Sequence, residues 1–285
     1  MDFTPTKQRV LITDHVQCGP GAPLLFIVGP CVIESHHAAI AIATQLAEIA
    51  RELNLSLVFK ASFDKANRSS AKSFRGPGLE KGLATLSAIK KATGLPVTTD
   101  IHESSQAAPV GEVCDIIQIP AFLARQTDLL QAAGRTQRVI NVKKGQFMAP
   151  QEMRLVVSKL AEVDNQRVLL TERGTTFGYG NLVCDFRSLP IMRQMAPVVF
   201  DATHTVQLPA AAGDKSSGDR RLVPYLARAA VACGVDALFM EVHPDPDQAL
   251  SDGPNMLALA DFPALAQVCL RLRSVLDAPT PPKTS

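Results

Sequence analysis

Eight short apolar runs, spread along 285 residues, constrain this chain more than any other feature. They are LLFIVGP (24–30), SLVFKAS (56–62), PVTTDI (96–101), IIQIPA (116–121), VINVKKG (139–145), RVLLTERG (167–174), PVVFDAT (197–203) and ALFMEVH (237–243). Near-continuous apolarity over so few residues marks strands buried on both faces, as in a parallel sheet. Helical patterns lie between the runs. From Ala38 to Leu53, the residues Ile42, Leu46, Ile49 and Leu53 recur close to a 3.6-residue period. Residues 79–92, 151–163 and 222–233 read the same way, and Gly94, shortly before Pro96, and Gly234 predict helix stops. Eight βα units predict an α/β protein, a single-domain (β/α)8 TIM barrel over residues 24–277. An open doubly wound sheet is the alternative, but no Rossmann glycine fingerprint follows the first run. Residues 1–23 are expected to be an extension closing the barrel's N-terminal end, with a small element at 9–17. Residues 278–285, proline-rich, are expected to form a flexible tail.

Composition excludes several classes. A net charge of +2, few aromatics and no Trp argue against a nucleic-acid partner. No apolar run approaches the roughly 20 residues of a membrane-spanning helix. MDFTPTKQRV lacks the apolar core of a signal peptide. The six cysteines form no C-x-x-C pair, which fits reduced thiols in a cytoplasmic protein.

In a barrel of this kind, residues at the C-terminal ends of the strands face the active site. Here every run ends in polar groups. In order they are Cys31 and Glu34; Lys60 and Lys65; Asp100 and His102; Gln118; Lys143 and Lys144; Glu172 and Arg173; Asp201 and His204; Glu241 and His243. Two subsets stand out. Lys60, Lys65, Arg68, Lys143 and Arg173 suit anionic, oxygen-rich ligands, and their shared placement points to two anionic groups. The segment KASFDKANRSS (60–70), taken alone, reads equally as a solvated basic loop. Barrel closure sets the last strand beside the first, so Cys31, His204, Glu241 and Asp252 can converge. Thiolate, imidazole and two carboxylates suit a borderline divalent cation such as Fe²⁺, Mn²⁺, Co²⁺ or Zn²⁺. Without further information, a buried cysteine and a satisfied core histidine remain the alternative. The loop GDKSSGDRR (213–221) reads either as a lid over the site or as an ordinary solvated loop.

Several motifs are more specific than the barrel requires. They are GPCVIES (29–35), FKASFDKANRSS (59–70), FRGPGLEKG (74–82), TTDIHE (98–103), QIPAFLARQTDLL (118–130), NVKKGQF (141–147), LTERGTTFGYGNLVCDFRSLPIM (170–192), FDATHTVQLP (200–209) and EVHPDPDQALSDGPN (241–255). With them the chain closely resembles the 3-deoxy-D-manno-octulosonate 8-phosphate synthase family. The resemblance implies a transferase that joins phosphoenolpyruvate to arabinose 5-phosphate for lipopolysaccharide biosynthesis, in a homotetrameric (β/α)8 barrel. It implies the metal-dependent branch, because Cys31 stands where the other branch has asparagine, with Cys31, His204, Glu241 and Asp252 as ligands. The implied phosphoenolpyruvate site is Lys60, Lys65, Gln118, Lys143, Arg173 and His204. The implied arabinose phosphate site is Asn67, Arg68 and Ser69, with Arg68 reaching a neighbouring subunit and Arg125 at that boundary. Lys65, Lys143, His204 and Asp252 are implied to stand nearest the chemistry. The related synthase that uses erythrose 4-phosphate is the nearest alternative. A Schiff-base aldolase using Lys60 or Lys143 and a non-enzymatic sugar-phosphate-binding barrel are more distant ones.

Overall fold

A computed structural model of the protein describes residues 3–67, 73–212 and 215–277. Arg68, Ser69, part of the expected lid (213–214) and the expected tail (278–285) lie outside the described residues. The eight apolar runs form eight strands. They are β1 (Leu25–Gly29), β2 (Ser56–Lys60), β3 (Val97–Asp100), β4 (Ile116–Ile119), β5 (Val139–Lys143), β6 (Val168–Glu172), β7 (Val198–Asp201) and β8 (Ala237–His243). Each pairs in parallel with the next, Val199 opposite Ala237 between β7 and β8. β8 then pairs with β1, Ala237 opposite Leu25, which closes the sheet into a barrel.

The helices follow in alternation: α1 (His36–Glu52), α2 (Leu79–Thr93), α3 (Ala107–Val113), α4 (Thr127–Arg135), α5 (Met153–Ala161), α6 (Ser188–Arg193), α7 (Val223–Ala232) and α8 (Phe262–Asp277). Local chemistry sets their limits. Ser35 caps α1 by accepting the Ala38 N–H at 3.1 Å, a contact whose loss costs about 1 kcal/mol. The buried stripe Ala39, Ile42, Ala43, Leu46 and Ala50 follows at helical spacing. Gly94 ends α2 in the left-handed conformation, φ 72°, which a residue without Cβ adopts freely.

Alternation along the strands creates two apolar layers. Phe26, Val28, Phe59, Phe200, Leu238 and Met240 point outward and pack under the helices. Leu25, Ile27, Val58, Val199, Ala237 and Phe239 fill the barrel. That inner cluster continues into Val10, Ile12 and Cys18 of a hairpin, Val10–Leu11 with Gln17–Cys18, against the strands' N-terminal halves. Side chains at the opposite, C-terminal rim are therefore carried by a rigid, filled scaffold. Of the segment 213–221, Lys215–Gly218 is a strand paired antiparallel with Gln207–Ala212.

Candidate active site

Gly29 opens the rim. A Cβ there would collide with the carbonyl oxygen of Lys60 on β2, so glycine lets the two strand ends close up. The ladder continues past both strands: Ile33 N–H donates to the Ser62 carbonyl at 2.9 Å. Lys60 Nζ donates to the Cys31 carbonyl at 3.0 Å. Cys31, just past the end of β1, is fully buried.

The four expected ligands come together. One donor atom each from Cys31, Glu241 and Asp252 lies within 4.8 Å of the others. His204 Nε2 stands 3.8 Å from Glu241 Oε2 and 3.9 Å from Asp252 Oδ2. Asp252 adopts a left-handed backbone, φ 52°, a conformation uncommon outside glycine and one that aspartate tolerates best with asparagine. Its loop is tied down by Glu34, whose Oε1 accepts the Leu250 N–H at 2.8 Å. Glu34 Oε2 also lies 3.6 Å from His243 Nε2. These two strand-end residues thus brace the Asp252 loop rather than join the cluster.

The donor set fits a divalent cation. Glu241 is fully buried, and its Oε2 has no hydrogen-bond partner among the described residues. A buried carboxylate oxygen left bare is costly unless a cation serves it. Burial, reinforced by Asp252 and Glu241, pushes the Cys31 thiol well above the ordinary thiol range. Cys31 Sγ accordingly donates to Asp252 Oδ2 at 3.2 Å, and a bound cation is what would displace that proton. Sulfur, nitrogen and oxygen donors together suit a transition-series ion over Mg²⁺ or Ca²⁺.

The cations gather beside this set. Lys60 Nζ lies 2.6 Å from Glu241 Oε1, and Lys65 Nζ reaches the same oxygen at 4.0 Å. Burial alone would raise the Glu241 carboxyl; Lys60, His204, Lys65 and Lys143 outweigh it and hold it well below the usual range. Burial also lowers Lys65, but the carboxylates of Glu241, Asp100 and Asp252 more than reverse that. Lys143 Nζ donates to Asp201 Oδ2 at 2.6 Å and sits 3.8 Å above the Phe239 ring. Burial and the charge of Lys60 depress Lys143 against the pull of Asp201. Arg173, 6 % exposed, gives Nη2 to Gln207 Oε1 at 3.0 Å, while Nη1 has no partner among the described residues. Gln118 Oε1 is likewise buried and unpartnered. Buried donors and acceptors of this kind are what a small polar ligand would satisfy.

Not every expected residue is placed there. Asn67 is exposed, and Arg68 and Ser69 fall outside the described residues. Lys144 points out of the barrel, as a period of two demands, and its Nζ contacts Thr175 Oγ1 at 3.1 Å and the Met148 carbonyl at 3.3 Å. Asp201, expected only as a polar strand end, and Phe239 and Ser251, given no role by the sequence, also line the cluster. Ser251 Oγ lies 2.8 Å from Cys31 Sγ.

A second acid–base pair borders the cations. Asp100 Oδ2 lies 3.2 Å from His102 Nε2, and Ser62 Oγ donates to Asp100 Oδ1 at 2.5 Å. Burial opposes the charge on Asp100, but His102 and Lys65 lower it overall; burial opposes His102, but Asp100 raises it. The Asp100 contribution to stability is present above its unfolded value near 3.8 and lost as pH falls. The His102 contribution is present below its unfolded value near 6.5 and lost as pH rises through the folded one. Stability from this pair is therefore expected to peak between those two values. Urea midpoints measured across pH should show the alkaline loss shrink in His102→Gln; an unchanged profile would contradict the pairing.

Comparison with known proteins shows the family. Residues 5–278 match the family model described as "DAHP synthetase I family". A Synechococcus protein named 2-dehydro-3-deoxyphosphooctonate aldolase is 57% identical over 275 residues, 96% of this chain and 97% of that protein. A Cyanothece protein of the same name is 58% identical, covering 94% of this chain and 98% of its own length. One from Geobacter sulfurreducens is 57% identical, covering 90% and 95%. The resemblance drawn from the motifs is thus borne out, and the chain belongs to the DAHP synthetase I family, among relatives named 2-dehydro-3-deoxyphosphooctonate aldolase.

Proposed function

We propose that this protein is a 3-deoxy-8-phosphooctulonate synthase, the enzyme that its relatives' name denotes. It condenses phosphoenolpyruvate with arabinose 5-phosphate and water, giving 3-deoxy-D-manno-octulosonate 8-phosphate and inorganic phosphate. The observation that carries the reading is the convergence, on one barrel rim, of the Cys31, His204, Glu241 and Asp252 donor set with Lys60, Lys65, Lys143 and Arg173.

C3 of phosphoenolpyruvate attacks the aldehyde carbon of the open-chain sugar, water adds at C2, and the C2–O bond to phosphate breaks. Lys65, Lys143 and Arg173, with Gln118, hold the phosphoenolpyruvate carboxylate and phosphate. Lys60, paired with Glu241, adds its charge to the same site. Their burial strengthens each contact and keeps bulk water from competing. Asn67, Arg68 and Ser69 hold the sugar phosphate, and positioning two anions against each other supplies much of the acceleration. Cys31, His204, Glu241 and Asp252 are the residues that would hold a divalent cation, which when bound supplies Lewis acidity toward the aldehyde or a water.

A cytoplasmic location follows from the proposed use of phosphoenolpyruvate and a sugar phosphate, both intracellular metabolites. Separately, no helix among the described residues is long and apolar enough to cross a membrane. It assembles as a homotetramer in which Arg68 reaches a neighbour's site near Arg125. Exposed Phe122, close to Arg125 in sequence, supports a contact surface there.

Arg173→Lys keeps the charge and loses the planar fork. Losing one charge-assisted bond costs about 1.5–3 kcal/mol, so the KM for phosphoenolpyruvate is expected to rise about 10- to 100-fold. Steady-state kinetics check this, and an unchanged KM would remove Arg173 from the site. The substrate reading is tested by incubating the protein with phosphoenolpyruvate and either arabinose 5-phosphate or erythrose 4-phosphate. The family model's description favours the second sugar only at family level. An eight-carbon product and preference for arabinose 5-phosphate support the reading. A seven-carbon product at the higher rate, or ligand binding without phosphate release, would overturn it.

A further inference from the structure

Asp201 ends β7, fully buried, and its carboxylate is engaged on both oxygens. Oδ1 accepts the backbone N–H groups of Thr203 at 3.1 Å and His204 at 2.8 Å. Oδ2 lies 2.6 Å from Lys143 Nζ and 2.9 Å from His204 Nδ1. An ionised carboxylate only accepts, so the His204 contact is a hydrogen bond only if Nδ1 carries a proton. Lys143 is also only a donor. The 3.4 Å between Lys143 Nζ and His204 Nδ1 is then two donors meeting at one shared acceptor, not a bond between them. With the proton on Nδ1, the lone pair of the neutral ring lies on Nε2. That is the nitrogen facing Glu241 Oε2 and Asp252 Oδ2.

We propose that Asp201 is a positioning residue that sets both halves of the site from one oxygen. It fixes His204 in the tautomer whose Nε2 can ligate a divalent cation, and it anchors the Lys143 ammonium above the Phe239 ring. The proposal rests on the metal-centre reading above. A ligating histidine commonly gives its second ring N–H to a carboxylate, which orients the ring and raises its basicity. What this chain adds is that the same oxygen also holds a cation of the anion site. Cation affinity and phosphoenolpyruvate affinity should therefore fall together when it is changed.

Asp201→Asn preserves shape and retains an acceptor for the two backbone N–H groups. Its amide nitrogen, a donor, replaces Oδ2. That nitrogen would donate to Nδ1, move the imidazole proton to Nε2 and obstruct ligation there, and it would face the Lys143 ammonium donor to donor. Cobalt(II) is titrated into metal-free protein and read at the thiolate-to-cobalt charge-transfer absorption. Cobalt affinity is expected to fall about 10- to 100-fold. Calorimetry with phosphoenolpyruvate on the metal-free protein should show weaker binding in the same variant. Unchanged cobalt affinity in a folded Asp201→Asn protein would overturn the proposal, and weakened cobalt binding with unchanged phosphoenolpyruvate binding would overturn the shared anchor. Nitrogen NMR of the zinc-loaded wild-type protein gives an answer even if the variant does not fold. His204, identified by loss of its signals in His204→Gln, should keep a proton on Nδ1 with zinc on Nε2. Zinc on Nδ1 would overturn the assignment. A wild-type protein with no cobalt charge-transfer band would instead remove the metal reading beneath it.

Discussion

Cys31→Ala is expected to abolish the cobalt charge-transfer band and to lower phosphate release by on the order of a thousandfold. The band requires a thiolate ligand, and Cys31 is the cysteine of the cluster with Glu241 and Asp252. Lewis-acid stabilisation is worth several kcal/mol, and about 1.4 kcal/mol is tenfold in rate, which sets the size of the fall. Folding should change little, because the uncharged thiol behaves as a small buried hydrophobe. Cys31→Asn should differ from Cys31→Ala by retaining part of the activity in chelator, since asparagine is the residue that the metal-independent branch is implied to use there. Absorption spectra and phosphate-release rates of the two variants check this. An intact cobalt band in Cys31→Ala would remove the cysteine from the metal set.

The second large effect is on stability. Lys60→Met is expected to destabilise the metal-free protein by about 3–5 kcal/mol, because it leaves a buried Glu241 carboxylate without its 2.6 Å partner. Lys65, at 4.0 Å from the same oxygen, is too far to replace it. Zinc should recover part of the loss by giving Glu241 a new cation. Adding Glu241→Gln should also relieve it, since the penalty belongs to the stranded charge and the two sites are coupled. Denaturant titrations of the two single variants and the double variant, with and without zinc, read all of this. A Lys60→Met protein as stable as the parent would mean that the pair contributes no net stability.

The barrel was legible because strands buried on both faces leave little besides apolar residues, and all eight runs became strands. α3 and α6 offered less to read. α3 spans seven residues with Pro109 and Gly111 inside it, and α6 only six, too short to display a period. In α8 the buried face carries Arg273, whose Nη1 donates to the Val235 carbonyl at 2.9 Å, so a charge interrupts the apolar stripe. Strand ends and barrel closure made it possible for the four donor residues to meet, but only the family resemblance set that reading above a buried cysteine and a core histidine; the structure brings them close. Charge at a strand end did not reveal its direction, however. Glu34 and His243 brace a loop, and Lys144 turns outward to Thr175. Phe239 reads as one more core aromatic in ALFMEVH, yet its ring lies beneath Lys143 and within 5.3 Å of Lys60. Asp201 was visible as a polar strand end, but its sharing between His204 and Lys143 depends on two strands meeting across the barrel.

Phosphate release from phosphoenolpyruvate with arabinose 5-phosphate, measured before and after chelation, tests the central claim most directly. The account predicts release that depends on the sugar phosphate, is lost on complete metal removal, and returns when one divalent ion is added back. Release that ignores arabinose 5-phosphate would contradict the proposed reaction. Full activity in demonstrably metal-free protein would contradict a metal centre at Cys31, His204, Glu241 and Asp252.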